Sequence, residues 1–486
     1  MTVTLSNTLT GNKDVFTSQT PGKVSLYTCG PTVYDYLHVG NWSAYIYWDI
    51  LVRTLVANNY TVDRVMNITD VGHLVSDADD GQDKLEKGAQ REGKTAWEVA
   101  EFYGNDFLKG MERLGLVAPT HITKATDYID EQLALVRTLK AKGFTYQIDD
   151  GIYFDTAKFP TYADFAHLDL AAQQAGARVE FNPEKRSASD FALWKFTPAG
   201  ETRDMEWETP IDLIEAGEAR MGFPGWHLEC SAMAMSLLGE TLDIHTGGID
   251  HIPVHHTNEI AQSEAATGVR FSNYWLHNNH LKSNGTKISK SLSNGYTLDD
   301  LAAKGFSPAD YRLFVIQSHY SNEGNFTFDN LQSAKNRLTN WRNVAALRHQ
   351  THDTLRDDDE KSTDERSVSL YATSQAIVEA LSDDLDTPAA LTIIDDAFNR
   401  IQAAKLGDIH QHALVQLLET IDETLGLQLL TTTPDIDDDT KRLIIQRQQA
   451  RERKDWADSD SLRTQIEKSG VTVRDTATGP IWEYII

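Results

Sequence analysis

Residues 25–41 read S-L-Y-T-C-G-P-T-V-Y-D-Y-L-H-V-G-N. The apolar run from Val24 to Cys29 predicts a strand, the Gly-Pro pair after it predicts a turn, and Leu37 to Leu55 has a helical pattern. A second strand is predicted from Thr61. Because the order strand, turn, helix, strand is typical of a βαβ unit, we expect an α/β chain built on a Rossmann-type parallel sheet.

Composition sets limits on the kind of protein this is. The chain has 486 residues, two cysteines and a formal net charge of −27. Two cysteines cannot form a disulfide framework, and we see neither a signal peptide nor an apolar run long enough to span a bilayer. We therefore expect a cytoplasmic protein of several domains that does not associate with a membrane.

The charge is unevenly distributed. A protein this acidic is not expected to coat nucleic acid over its whole surface. Residues 441–454 nevertheless carry six basic residues and one acidic residue. This segment is either a solvated helix or a local face for RNA, in which Arg447, Arg451 and Lys454 would lie on one side.

Four residues could form a metal site. Cys29 ends the first strand, at the edge where open α/β sheets bind ligands, and Cys230 could reach the same edge. His255 and Glu259 are four residues apart on an apparent helix, so both project from one face. Two thiolates, an imidazole and a carboxylate would suit zinc. The alternative is that both thiols are simply buried apolar groups.

Two further motifs suggest phosphate binding. His38, Gly40 and Asn41 lie where the first helix begins, and a helix N-terminus favours phosphate while glycine permits close approach. Lys287 and Lys290 belong to the pentapeptide K-I-S-K-S between two glycines. Such a loop could close over a triphosphate, although a single lysine-rich pentapeptide is more commonly an exposed loop.

Taken together, the motifs resemble one family. H-V-G-N and K-I-S-K-S are similar to the two signature elements of class I aminoacyl-tRNA synthetases. The cysteinyl branch of that class is marked by Y-T-C-G-P-T-V-Y-D, N-I-T-D, G-W-H-L-E-C-S-A-M and H-H-x-N-E-I-A-Q-S-E-A, which occur here in that order. D-L-D-T-P-A-A-L and R-K-D-W-A-D-S-D extend the resemblance to the cysteinyl-tRNA synthetases over nearly the whole chain.

The resemblance implies an activity and a set of site residues. The expected reaction activates L-cysteine with ATP and transfers it to the 3′-terminal adenosine of cysteine tRNA, in a monomer with one Zn²⁺ and with Mg²⁺ beside ATP. The implied zinc ligands are Cys29, Cys230, His255 and Glu259. The implied cysteine-binding residues are Gly30, Thr32, Thr69 and Trp226. The implied ATP-binding residues are His38, Gly40, Asn41, Lys287 and Lys290, of which His38 and the two lysines are expected to be catalytic.

The resemblance also implies a domain order. The two halves of the catalytic domain are expected at 1–125 and 216–275, separated by an inserted connective subdomain at 126–215. The K-I-S-K-S loop and stem-contact region follows at 276–335. A helical tRNA-binding bundle at 336–430 and a small C-terminal α/β domain for the anticodon at 431–486 complete the prediction.

The sequence departs from the family in four places. Thr257 stands in H-H-T-N-E where H-H-E-N-E is usual, Thr246 stands in H-T-G-G where H-G-G-G is usual, and Ile288 replaces a methionine. An acidic insertion also follows N-I-T-D. Three other readings are a cysteine ligase for an amino-sugar acceptor, a catalytically silent paralogue that keeps zinc or RNA binding, and a zinc hydrolase.

Overall fold

A five-stranded parallel sheet carries the segment quoted above. The computed structural model describes residues 1–72, 84–169, 182–288, 292, 294–350, 365–476 and 479–485. The sheet has the strand order β12-β11-β3-β4-β5, and every neighbouring pair is parallel. Its strands are β3 (Lys23–Thr28), β4 (Thr61–Ile68), β5 (His121–Lys124), β11 (Leu242–Gly248) and β12 (Ser272–Asn278). The predicted Rossmann-type sheet is therefore confirmed.

The first helix fixes the edge at which the sheet binds ligands. After β3 the chain turns at Gly30-Pro31 and enters α1 (Val39–Ala57). Most of α1 is buried, because it packs against β4 on one side and against helices of the C-terminal half on the other. Such all-round burial is expected of a helix that is apolar on every face. The N-terminus of α1 therefore has a fixed position beside the carboxyl end of β3.

Two helices and a strand follow β4. They are α2 (Lys84–Glu92), α3 (Ala96–Arg113) and β5, before α4 (Ile129–Ala141). Thr95 caps α3, since its hydroxyl accepts from the amide of Glu98 while the Glu98 carboxylate accepts from the amide of Thr95. Strand β5 was not anticipated within this mostly helical region, because four residues are too few to show a period.

The inserted subdomain is a separate antiparallel sheet. Its strand order is β6-β7-β8-β10-β9, and its core includes Val136, Phe154 and Trp194. The strands run from Thr145 to Pro224, whereas the expected bounds were 126–215. They are β6 (Thr145–Ile148), β7 (Gly151–Phe154), β8 (Phe191–Phe196), β9 (Trp207–Glu208) and β10 (Met221–Pro224).

Helices dominate the rest of the chain. The elements after β10 are α5 (Trp226–Leu238), α6 (Thr257–Thr267), β13 (Leu281–Ser283), α7 (Leu298–Ala303), α8 (Pro308–Ile316), β14 (Gly324–Phe326), α9 (Phe328–Ala346), α10 (Glu365–Ser382), α11 (Thr387–Ala403), α12 (Gln411–Leu425), α13 (Leu429–Thr432), α14 (Asp438–Glu452), α15 (Trp456–Lys468), β15 (Val471–Thr476) and β16 (Gly479–Tyr484). The predicted helical bundle and small C-terminal α/β domain are thus present. In the described part of the chain, no helix combines the length and apolar character that crossing a membrane requires.

A buried ionic cluster joins α1 to the bundle. Asp49 on α1 is fully buried and pairs with Arg53 at 2.7 Å and with Arg312 on α8. Arg312 also donates to the carbonyl of Leu425, at the end of α12. Burial alone would favour the neutral acid, but the two guanidinium groups keep the pKa of Asp49 below its usual value. The Asp49–Arg312 pair therefore links α1, α8 and the end of α12.

The N-terminal hairpin is tied to the bundle as well. It consists of β1 (Thr4–Asn7) and β2 (Asn12–Val15). The Ser6 amide donates to the Asp384 carboxylate at 2.7 Å, and the Thr4 hydroxyl donates to Asp383 at 2.9 Å. Both aspartates lie in the turn between α10 and α11, so the first strand of the chain helps to anchor the bundle.

Candidate active site

One cavity of about 650 Å³ lies at the carboxyl ends of the parallel strands. Residues from α1, β4, α5, β11, β12 and β13, together with the turn after β3, line its wall. The predicted site residues that line it are Cys29, Gly30, Thr32, His38, Gly40, Asn41, Thr69, Trp226, Cys230, His255 and Lys287. Glu259 lies behind this wall and is fully buried. The structure thus brings together nearly all the residues that the sequence nominated from distant segments.

The four predicted metal ligands converge at the closed end of the cavity. The donor atoms of Cys29, Cys230, His255 and Glu259 all lie within 4.8 Å of one another, and all four side chains are buried. Cys29 follows β3, and Cys230 lies on α5. His255 lies in a wide helical turn before α6, and Glu259 lies in the first turn of α6. Two sulfurs, a nitrogen and a carboxylate oxygen at this spacing suit a tetrahedral zinc ion.

Histidines hold the Glu259 carboxylate. Its two oxygens lie 3.0 Å from His255 Nε2 and 2.7 Å from His245 Nε2. Burial opposes the charge on Glu259, but the two imidazoles outweigh it and keep the pKa of Glu259 well below its usual value. Burial likewise opposes the charge on His255, whose pKa is nevertheless raised to about 10 by Glu259 and Cys230. The carboxylate is therefore an anion despite its complete burial.

The two thiols are held away from water. Burial raises the pKa of the Cys29 thiol. The hydrogen bond with Cys29, together with burial, raises the pKa of the Cys230 thiol well above its ordinary value. Thiols in such a site stay protonated unless a cation binds them, because a metal ion is the strongest available stabiliser of a buried thiolate.

Sequence reasoning missed the other histidines of this cluster. His245 on β11 holds Glu259, and His256 Nδ1 lies 2.7 Å from His277 Nε2 on β12. Two smaller donor groups share members with the predicted set: Cys29 with His251 and His256, and His245 with His256 and Glu259. The available signal was the strand T-L-D-I-H-T-G-G, which ends at the same sheet edge as Cys29.

The predicted cysteine-binding residues surround the closed end. The Gly30 amide donates to Asn67 Oδ1 at 2.8 Å, and the Asn67 amide group donates to Thr69 Oγ1 at 3.0 Å. A Cβ added at Gly30 would lie 1.6 Å from the Asn67 carbonyl oxygen, so only glycine fits there. The Trp226 ring lies 4.4 Å from that of His255. These groups form a rigid wall beside the four candidate metal ligands.

The open end of the cavity lies at the N-terminus of α1. The His38 amide donates to Asn41 Oδ1 at 3.1 Å, which fixes Asn41 in the first turn. A Cβ added at Gly40 would lie 3.0 Å from both His38 Cε1 and Ile288 Cδ1. The loop that carries Lys287 therefore packs directly on the start of α1. Lys287 is exposed and lines the cavity, whereas Lys290 lies outside the described residues.

Two departures from the family pattern have structural explanations. The Thr257 hydroxyl donates to the Ile252 carbonyl at 2.7 Å, and the Thr246 hydroxyl donates to the Tyr27 carbonyl at 3.4 Å. Both side chains are buried, Thr257 against the turn before α6 and Thr246 against β3, and neither lines the cavity. The acidic insertion after N-I-T-D falls mainly on 73–83, outside the described residues.

The prediction for the basic helix is partly wrong. Helix α14 forms as expected, but Arg447 is buried and makes two hydrogen bonds to Asp475 on β15, at 2.8 and 3.0 Å. Arg451 lies 3.3 Å from the same carboxylate. Lys454 follows the end of the helix, with a φ of 63°. Since Arg447 holds the C-terminal domain together, it is not available to bind RNA.

Family models match both ends of the chain. Residues 15–336 match a model described as the tRNA synthetases class I (C) catalytic domain. Residues 433–482 match one described as the cysteinyl-tRNA ligase anticodon binding domain. Together these matches cover the parallel sheet, the inserted subdomain and the C-terminal α/β domain.

Solved structures and relatives agree with these matches. The fold is similar to methionyl-tRNA synthetase of Mycobacterium tuberculosis in complex with methionyl-adenylate, with a TM-score of 0.60 at 15% identity over 83% of this chain and 92% of the other. It is also similar to LeuRS in a ternary complex with tRNA and LeuAMS from Agrobacterium radiobacter K84, with a TM-score of 0.61 at 12% identity over 87% and 86%.

Identity is much higher to two relatives. Cysteine–tRNA ligase of Treponema denticola is 38% identical over 99% of this chain and 100% of its own length. Cysteine–tRNA ligase 1 of Burkholderia lata is 40% identical over 96% of this chain and 93% of its own length. With this identity over nearly the full length of both chains, the chain belongs to the cysteine–tRNA ligase family of class I aminoacyl-tRNA synthetases.

Proposed function

We propose that the cavity activates L-cysteine with ATP and that the cysteinyl group then passes to the 3′-terminal adenosine of cysteine tRNA. In the first step the cysteine carboxylate oxygen attacks the α-phosphorus of ATP, and pyrophosphate leaves. In the second step a hydroxyl of the terminal ribose attacks the carbonyl carbon, the bond to phosphate breaks, and AMP leaves. The 2′-hydroxyl is the attacking group if the chain follows its class.

The observation that carries this proposal is that the two ends of one cavity hold different chemical groups. Its closed end holds Cys29, Cys230, His255 and Glu259 with donor atoms within 4.8 Å of one another. Its open end holds the start of α1 and the exposed Lys287. An amino acid whose thiol points to the closed end would present its carboxylate toward the phosphate-binding end.

The donor set fits a zinc ion, held by those four residues. Bound zinc would supply a Lewis acid that prefers a thiolate over a neutral hydroxyl, which a plain pocket cannot separate well. His245 fixes the ligand carboxylate of Glu259 from behind. Gly30, Thr32, Thr69 and Trp226 close the walls around the amino acid and exclude water.

The open end handles phosphate. His38 and Asn41 supply side-chain donors at the helix N-terminus, where partial positive charge favours phosphate, and Gly40 permits close approach. Lys287 and Lys290 neutralise charge on the triphosphate as pyrophosphate departs, with Mg²⁺ accompanying ATP. Phosphoryl transfer of this kind depends on positioning and charge stabilisation, so no protein nucleophile is needed.

Cysteine-dependent ATP–pyrophosphate exchange tests the proposal, followed by charging of total tRNA. We expect exchange with cysteine, loss of exchange after zinc is removed, and cysteine attached to RNA. Exchange without charging, but with transfer to an amino sugar, would favour the amino-sugar ligase. Absence of exchange in zinc-loaded protein would overturn the activity and favour the silent paralogue or the hydrolase.

A further inference from the structure

The only two cysteines of the chain meet in the active-site cavity. Cys29 follows β3 and Cys230 lies on α5. Their sulfur atoms belong to one group of donor atoms that lie within 4.8 Å of one another. A disulfide holds its two sulfurs about 2.05 Å apart. Since one rotamer step about χ1 moves a cysteine sulfur by about 3 Å, the remaining separation is within the range that side-chain rotation covers.

Both thiols can be reached from solvent through the cavity. Cys29 is only 9% exposed and Cys230 only 2%, yet both line the wall of this cavity of about 650 Å³. Structural zinc sites differ, because their ligands enclose the ion and leave no open position. The two sulfurs are therefore accessible to a small molecule that fits the cavity, and they are shielded from larger ones.

Because the cavity is the proposed binding site of L-cysteine, the disulfide it would select is cystine, which is two cysteines joined through their sulfurs. One half of cystine presents the amino group, the carboxylate and the side chain of the substrate, so it fits the closed end that Gly30 and Trp226 line. The second half is smaller than ATP and fits the part of the cavity that ATP must also enter. The S–S bond of cystine would thus lie beside Cys29 and Cys230.

We propose that L-cystine oxidises Cys29 and Cys230 to a disulfide in this cavity, an inference that rests on the proposed function. In the first step the sulfur of Cys29, the more exposed of the two, attacks one sulfur of cystine, and one cysteine leaves. In the second step the sulfur of Cys230 attacks Cys29 Sγ in the mixed disulfide, and the other cysteine leaves. The two thiol protons pass to the two released cysteines, and two electrons pass from the protein to cystine.

The disulfide and a zinc ion exclude each other at this site. Zinc binds cysteine as the thiolate, and a disulfide sulfur carries no such charge. Oxidation therefore removes two of the four donor groups and leaves His255 and Glu259, which pair with each other at 3.0 Å. Activation of cysteine then stops until a reductant restores the thiols. In this way the enzyme would respond to the ratio of cystine to cysteine.

The handedness of cystine provides the test. L-cystine and D-cystine have the same sulfur chemistry and the same reduction potential, and they differ only in how they fit a chiral pocket. Zinc-loaded protein, freed of reductant, is incubated with each. We expect L-cystine to release zinc, measured with a chromogenic chelator, about tenfold faster than D-cystine does. Both free thiols should disappear, and the mass of the chain should fall by about 2 Da.

Two variants on α5 isolate the steps. Cys230→Ser lacks the second sulfur, so Cys29 should stop at the mixed disulfide, with a mass gain of about 119 Da and no loss of 2 Da. Ser236→Ala, on the same helix, is the matched control and should react like the unmodified protein. An unreacted Cys29 in the Cys230→Ser variant would contradict the first step. The comparison of the two enantiomers uses the unmodified protein, so it does not depend on how either variant folds.

Equal rates with the two enantiomers, or retention of zinc and of both thiols in L-cystine, would overturn the inference. Exchange activity separates it from the function on which it rests. If cysteine-dependent ATP–pyrophosphate exchange survives treatment with L-cystine and its removal, the inference fails and the proposed function stands. If the zinc-loaded protein lacks exchange but L-cystine selectively joins the two thiols, the proposed function fails and the modification site stands.

Discussion

The two ends of the active-site cavity are built in opposite ways. At the closed end, Cys29 is 9% exposed, Cys230 and His255 are 2% exposed, and Glu259 is fully buried. At the open end, Lys287 is exposed on a loop that packs on α1 through Ile288. One end is buried, and the other is exposed to solvent.

The difference follows from what each end has to do. Discrimination between a thiol and a hydroxyl depends on donors that are desolvated and fixed before the substrate arrives. Stabilisation of departing pyrophosphate requires charge that can approach and withdraw, which buried lysines could not supply without a large desolvation cost. Substitutions at the two ends should therefore fail in different ways.

The largest effect is expected from Cys230→Ser at the closed end. Because a serine hydroxyl is a poor zinc ligand at neutral pH, we expect loss of bound zinc and of cysteine-dependent exchange together. Elemental analysis should find about one zinc per chain in the unmodified protein and almost none in the variant. Ser236→Ala, on the same helix, is the control and should keep the metal. Zinc retained in Cys230→Ser would contradict the proposed ligand set.

The second-largest effect is expected at Asp49, in the buried ionic cluster that joins α1 to the bundle. Asp49→Asn leaves Arg312 as a buried charge without its partner, so the free energy of unfolding should fall by about 3 to 5 kcal/mol. Denaturant unfolding measures this, with Asp63→Asn on β4 as an exposed control. Equal losses for both variants would show that the buried cluster is not special.

The stabilisation that Asp49 gives through Arg312 has a defined pH dependence. The pKa of Asp49 is lowered in the folded protein, so its stabilisation is complete above the unfolded value of about 3.9 and is lost as pH falls through the folded pKa. The stability difference between the unmodified protein and Asp49→Asn should therefore stay constant between about pH 7 and 5 and shrink below about pH 4. A difference that grows on acidification would contradict the assignment.

Lys287→Ala should damage the open end alone. We expect the turnover of adenylate formation to fall about 100-fold while the KM for cysteine changes little, since the lysine acts on phosphate. The sequence predicts the same result for Lys290→Ala. Lys304→Ala, outside the cavity, is the control. A raised KM for cysteine with unchanged turnover would place Lys287 in amino-acid binding instead.

The smallest effect is expected from Tyr162→Phe. The Tyr162 hydroxyl donates to buried Asn258 Oδ1 at 2.6 Å, next to Glu259 on α6. Its loss leaves an unpaired acceptor and should cost about 1 kcal/mol of unfolding free energy, with zinc retained. Tyr60→Phe serves as the control in the same denaturant experiment. Zinc loss in Tyr162→Phe would show that the closed end is less rigid than its burial indicates.

The sequence predicted the closed end better than its surroundings. Cys29, Cys230, His255 and Glu259 could be nominated because each falls at a recognisable position in a local pattern. The support of Glu259 by His245 could not, since it depends on how the chain passes from β11 to α6 through two short helical turns, whose path no sequence period sets.

The basic helix α14 could likewise be predicted from the sequence only in part. The spacing of Arg447 and Arg451 correctly placed both on one face of a helix, but spacing does not say what covers that face. Asp475, which holds Arg447, arrives 28 residues later on another element.

The N-terminal hairpin has a consequence for how the chain is made. Ser6 bonds to Asp384, 378 positions further along the chain. A ribosome that adds about 5 to 20 residues per second needs roughly 20 to 75 s to make that stretch. Throughout this interval Ser6 has no access to its final partner, and the parallel sheet can form before the bundle exists. The first strand to be synthesised is therefore among the last to be fastened to the bundle.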